Sequence, residues 1–118
     1  MDKQARLRQQ SEFDAVRQKG RWWTNGLLSL QAMTNGLERN RYGFLVSKKV
    51  GKAVVRNRTK RRLKEIVRKE ALSQGWDLVL IAKPKAAEAT FEEMTRSVKD
   101  LLHRGRLTAR HGGKPIQG

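Results

Sequence analysis

The chain has 118 residues, with 27 Lys and Arg against 11 Asp and Glu, a formal net charge of +16 and a pI near 11.3. Such a charge makes the free protein self-repelling and points to an anionic partner, RNA or DNA before an acidic membrane. The absence of cysteine excludes a disulfide framework, a thiol nucleophile and a thiolate metal site. The longest apolar run, Leu78 to Ala82, is far too short to cross a bilayer. The start, MDKQARLRQQ, carries no apolar segment that would read as a secretory signal, so a cytoplasmic location is expected. The length suits one domain with a sizeable core.

In chain order, Ser11-Glu12-Phe13-Asp14 reads as a helix start, with Ser11 capping and Asp14 placed for the reciprocal contact. Gly20 supplies the stop, which predicts a short helix over about 12–19. Trp22 and Trp23 follow beside Arg21; one of them is expected to be buried, the other to stack on a base or shield the core. Residues 28–33 alternate as a half-buried strand, with Leu28, Leu30 and Ala32 on one side and Ser29, Gln31 and Met33 on the other. Asn35-Gly36 marks a turn, and a second strand covers about 42–47.

Residues 48–69, KKVGKAVVRNRTKRRLKEIVRK, hold eleven Lys or Arg and a single acid, Glu65. Within this run Val55, Thr59, Leu63, Ile66 and Val67 recur at helical spacing, which predicts a helix over about 55–72, ended by Gly75. Asn57, Lys60, Arg61, Lys64 and Arg68 gather within an arc of about 100° away from that stripe. A docked stripe would hold these cations outward in fixed geometry. A charge run is often only a solvated face, but here the signs do not alternate and only Glu65 can pair within the helix. The segment therefore reads as a phosphate-binding ridge, and the chain as a nucleic-acid binder.

Asp77 to Lys83 is a nearly continuous apolar strand, suited to a central position covered on both faces, and Pro84 closes it. Thr90 with Glu93 forms a capping-box pattern, and the helix after it places Phe91, Met94, Val98, Leu101 and Leu102 on one face. The order is α-β-β-α-β-α, with room for one more short strand around 47–49, an α+β arrangement of helices on a small sheet. One domain over 1–107 is expected, followed by a mobile tail over 108–118.

The acids are scattered. The nearest nuclease pattern, Asp77 on a strand with Lys83 at its end, lacks the second acid that would hold Mg²⁺, since Ile81 stands there. His103 and His111 sit in the basic C-terminal region and read as solvated side chains rather than general acid–base partners. For Phe13 the residues leave two roles open, core side chain or a wall on which a base stacks.

The run Ser47-Lys48-Lys49-Val50-Gly51-Lys52-Ala53-Val54, followed by Arg56-Asn57-Arg58-Thr59-Lys60-Arg61, resembles the signature of the protein component of bacterial ribonuclease P. Weaker parts agree: Arg6-Leu7-Arg8, a Phe in the first helix, the strand at 77–82 and the closing helix, so the likeness extends to about residue 107. The resemblance implies a two-layer αβββαβα sandwich with a small mixed sheet and a left-handed βαβ crossover containing the basic helix. It also implies an RNA-binding subunit, monomeric within its holoenzyme, that cleaves nothing itself. In that family the catalytic RNA removes the 5′ leader of precursor tRNA with Mg²⁺, held mainly by the RNA and not tightly by the protein.

Carried over position by position, Lys48, Lys49, Lys52, Arg56, Asn57, Arg58, Lys60, Arg61, Lys64 and Arg68 are the expected contacts to the catalytic RNA. Lys64 stands where relatives often have Arg, which keeps the charge and loses the fork. Phe13, Arg17 and Gln31 are the expected lining of a cleft for the leader, and on this likeness Phe13 belongs to the cleft rather than the core. Arg17 stands where a second aromatic is often found and Gln31 where some relatives have Tyr, so that cleft should stack fewer bases and rely more on charge and hydrogen bonds. Two other readings remain: a structural RNA-binding protein of the ribosomal type, and an intrinsic nuclease.

Overall fold

The structure is a computed structural model and describes residues 6–108. Its elements run α1 (Gln10–Lys19), β1 (Arg21–Thr24), β2 (Leu28–Thr34), β3 (Arg41–Val46), α2 (Ala53–Lys69), β4 (Trp76–Ala82), a 3₁₀ turn (Pro84–Glu88) and α3 (Phe91–Arg104). The order αβββαβα expected from the resemblance is therefore present. The sheet is ordered β1-β2-β4-β3; β4 is antiparallel to β2 and parallel to β3, so α2 is the crossover between two neighbouring strands.

Alternation along the strands divides the core in two. Leu28, Leu30, Ala32, Phe44, Leu78 and Leu80 face α2 and α3, which supply Leu63, Ile66, Val67, Met94, Val98, Leu101 and Leu102. On the other face Val79 packs with Val16 of α1 and with Leu7, while Phe13, Met33, Leu45 and Ile81 surround them half-buried. As its unbroken apolar sequence predicts, β4 is covered on both sides.

Several boundaries differ from the sequence reading, each for a local reason. α1 begins at Gln10 with Gln9, not Ser11, at its cap: the carboxylate of Glu12 accepts the backbone N–H of Arg8 at 2.7 Å and of Gln9 at 3.1 Å, taking the role expected of Asp14. Asp14 instead accepts from the Gln10 side chain. The extra strand lies at Arg21–Thr24, where Trp22 and Trp23 pair with Gln31 and Leu30, while 47–50 is a turn closed by Val50 N–H to Ser47 C=O. α2 ends at Lys69, where Glu70 turns to an extended backbone, and Leu72 then bridges Thr108. Gly75, at φ +95°, is the turn into β4 and not the helix stop; its carbonyl accepts Asn35 N–H.

The Thr90–Glu93 capping box forms as expected, with both reciprocal bonds present. On α3, Met94, Val98, Leu101 and Leu102 are buried, but Phe91, in the first turn and beside Ile66 and Lys69 of α2, is 42% exposed. Leu107 is buried and Thr108 paired, so ordered packing continues one residue into the stretch read as tail; 109–118, with His111, lie outside the described residues. His103 is exposed.

Candidate RNA interface

α2 is held from behind. Thr59, Leu63, Ile66 and Val67 are buried, and each fully buried aliphatic side chain contributes about 1.5–3 kcal/mol. At 100° per residue the remaining positions fall into three rows. The crest is exposed and carries Asn57, Arg61 and Arg68, with Val54 among them at 75% exposure. One flank, Arg58 and Arg62, leans over the 3₁₀ turn, where their guanidinium groups reach the carbonyls of Ala87 (3.5 Å) and Ala89 (3.3 Å). The opposite flank, Lys60 and Lys64, turns toward α1. Arg56 is half-buried with its Nε enclosed and without a partner, and Lys48, Lys49 and Lys52 are exposed in the turn before the helix.

Lys60 and Lys64 open onto a cavity of about 180 Å³ that straddles the outer edge of β3. Its other walls are Arg6, Leu7, Phe13, Tyr42, Gly43 and Phe44. Arg6 is placed there by backbone pairing, since residues 6–7 run beside Tyr42 with Leu7 N–H to Tyr42 C=O at 2.9 Å. The Phe13 ring lies so close to Gly43 that a Cβ there would stand 2.4 Å from its Cε1. Glycine at 43 is thus what lets an aromatic ring approach the strand so closely.

The two regions expected separately therefore meet: Phe13 and the inner flank of the basic helix share one cavity. Arg17 and Gln31 do not line it. Arg17 is exposed one turn farther along α1, and Gln31 lies on the α1 face of the sheet between Trp22 and Val79, its Oε1 enclosed and unpartnered. Arg6 and Tyr42 were not among the expected site residues; Arg6 belongs to the Arg6-Leu7-Arg8 signal, but only the pairing along β3 brings it to the cavity.

Charge is unevenly compensated. Arg68 and Lys69 both pair with Glu65, at 2.8 and 3.4 Å. Lys60, Arg61 and Lys64 have no carboxylate partner among the described residues. Burial, then the neighbouring Arg6 and Lys60, push the Lys64 ammonium below its ordinary value. An anion in the cavity would relieve that repulsion, whereas water only screens it.

Asp77, the acid of the nearest nuclease pattern, is held within the fold by Arg41 and Asn35. Asp77, 4% exposed, receives both Nε and Nη2 of Arg41 at 2.9 and 2.8 Å and the Asn35 amide at 2.9 Å. Arg41 also holds Glu12 at 2.8 Å. The backbone N–H groups of Arg8 and Gln9, and then Arg41, hold the Glu12 carboxyl below its ordinary range. A carboxyl so depressed stabilises the fold above its unfolded pKa, and that contribution disappears as pH falls through the lowered value. Thermal unfolding at pH 7 and pH 3 should therefore differ less in Glu12→Gln than in the parent. An equal difference would remove Glu12 from the account.

The sequence matches the ribonuclease P family profile over residues 1–106. It is 44% identical over 109 residues to a ribonuclease P protein component of Dehalococcoides mccartyi, covering 92% of this chain and 91% of that one. A ribonuclease P protein component of Caldanaerobacter subterraneus is 43% identical over 103 residues, covering 86% and 89%. Among solved structures, the RNase P protein of Staphylococcus aureus superposes with a TM-score of 0.82 at 27% identity, over 89% of this chain and 98% of that one. That of Thermotoga maritima gives 0.77 at 30% identity, over 84% and 96%. These matches show that the chain belongs to the ribonuclease P family, as the protein component of an endoribonuclease that processes tRNA.

Proposed function

We propose that this subunit binds both the catalytic RNA and the 5′ leader of precursor tRNA, and thereby assists Mg²⁺-dependent leader removal by the RNA. The observation that carries this reading is the shared cavity, where the carboxylate-free cations Lys60 and Lys64 face Arg6 and the Phe13 ring. The exposed crest and the lysines before it suit the backbone of a folded RNA, with Arg61 free to grip a phosphate through its fork. The cavity suits an extended single strand: its cations take backbone phosphates, and Phe13 offers a π-face that any base can stack on. Two RNAs repel each other, and a +16 protein between them screens that repulsion and releases condensed counterions.

In this reading Mg²⁺ is held by the RNA, and the oxygens of Asp77 are occupied by Arg41 and Asn35. No helix among the described residues is long and apolar enough to cross a membrane. A cytoplasmic protein, single within each holoenzyme, fits the reading.

One assay tests it: precursor tRNA with this protein alone, with the catalytic RNA alone, and with both at low Mg²⁺. Enhanced cleavage only in the mixture is the expected result. Cleavage by the protein alone would make it a nuclease, and no effect would leave a structural RNA binder. Arg61→Ala should weaken RNA binding and lower the slope of log affinity against log salt by about one. An unchanged slope would take Arg61 out of the interface.

A further inference from the structure

The cavity has two walls, and they are anchored independently. Lys60 and Lys64 ride on α2, fixed by its buried stripe. Arg6 and Phe13 sit at the two ends of residues 6–13, a segment that starts beside Tyr42 on the outer edge of the sheet and runs into α1. Next to Phe13, the Glu12 carboxylate does two things at once. One oxygen accepts the N–H groups of Arg8 and Gln9, and the other pairs with Arg41. Arg41 is itself locked to the sheet by its two-point contact with Asp77, which Asn35 also holds.

The register ties this node to the cavity. Glu12 is adjacent to Phe13 in the chain, and Arg41 and Gly43 point to the same face of β3, two residues apart. The ion pair thus sets one contact, and the Phe13 ring on Gly43 sets the next. Both partners keep 22% of their side-chain surface exposed, so the pair is shielded more than a loose surface bridge but remains reachable by solvent.

We infer that the Glu12–Arg41 ion pair is a latch that positions the residue 6–13 wall, and so sets how tightly a single RNA strand is held, without itself touching RNA. This rests on the cavity being the single-strand site. Glu12 and Arg41 are positioning residues.

The sign of one substitution separates this from plain electrostatics. Glu12→Gln removes a negative charge from a protein that binds a polyanion, so charge alone predicts tighter binding. The latch predicts weaker binding, on the order of three- to tenfold, because misplacing a binding wall by even about 1 Å is costly. The experiment measures affinity of the full-length protein for a fluorescent single-stranded RNA oligonucleotide, and separately for the catalytic RNA, across a salt series. The variants are Glu12→Gln, Arg41→Lys, Phe13→Ala and the double variant Glu12→Gln/Phe13→Ala.

The expected result is a loss of oligonucleotide affinity in Glu12→Gln and Arg41→Lys with an unchanged salt slope. Binding of the catalytic RNA should stay within about twofold of the parent, and Glu12→Gln should cost little once Phe13 is already gone. Arg41→Lys keeps the charge and loses only the fork, so it remains a test even if a more drastic change unfolds the protein. Equal or tighter oligonucleotide binding by Glu12→Gln, with Phe13→Ala still weakening it, overturns the latch and leaves the cavity reading intact. No loss in Phe13→Ala overturns the cavity reading and the latch with it. A salt slope lowered by about one in Arg41→Lys would instead make Arg41 a direct phosphate contact and overturn its positioning role.

Discussion

Replacing Lys60 and Lys64 together by Ala is expected to weaken binding to the single-stranded leader of precursor tRNA by roughly 25-fold at 0.1 M salt, about fivefold for each lost phosphate contact. The salt slope should fall by about 1.4. The free protein should not be destabilised, because the two ammonium groups and Arg6 crowd one small cavity without a carboxylate, and burial already pushes Lys64 toward its neutral form. Its melting temperature should hold or rise. The matched control is Arg68→Ala/Lys69→Ala, which removes the same formal charge from the same helix. Glu65 already compensates those two side chains, so they have less to gain from RNA, and their loss should cost several-fold less. Equal losses in the two pairs would mean that the protein acts through net charge alone and that the cavity has no special part.

That contrast also shows what could be read in advance. The apolar stripe of α2 was legible because four of its five members are buried and the fifth, Val55, packs beside them; period and burial have one cause. Their angular spread was legible too, but not which neighbour each cation would meet. Lys60 lies only about 60° from Leu63 on the helical wheel and Arg56 about 20°, so both flank the core rather than opposing it. Which flank faces α1 and which faces the 3₁₀ turn depends on sheet order, and no local pattern encodes that.

Tertiary pairing explains the other gaps. Arg6 reaches the cavity through a single β-bridge to Tyr42. Asn25 binds the turn between β1 and β2 to α3 through the Ser97 carbonyl and hydroxyl and the Asp100 carboxylate, more than 70 residues away. β1 was missed because four residues, two of them Trp after a glycine, give too short a run for period-2 alternation to show. Phe13 is not confined to the cleft that the likeness implied. It packs on the smaller core and lines the cavity, because glycine at 43 lets one ring do both.

Leu63→Ala tests the other half of the mechanism, the bracing of the ridge. Leu63 is fully buried beneath the row that carries Lys60 and Lys64, and truncating such a side chain costs about 3–5 kcal/mol. Against a total stability of about 5–15 kcal/mol, and with +16 charges opposing compaction, the variant should stand near the edge of unfolding. Its melting temperature should fall by on the order of 10–20 °C. RNA binds the folded ridge in preference to the unfolded chain, so catalytic RNA at about 100 times its Kd should restore about 2.7 kcal/mol. The salt slope of the RNA-bound variant should match the parent, because every cation is still present and is held again once the helix docks. A variant that melts normally but binds with a reduced slope would show that the cations are ordered by something other than the packed stripe. One that melts early and is not rescued by RNA would show that the ridge and the core are not energetically coupled.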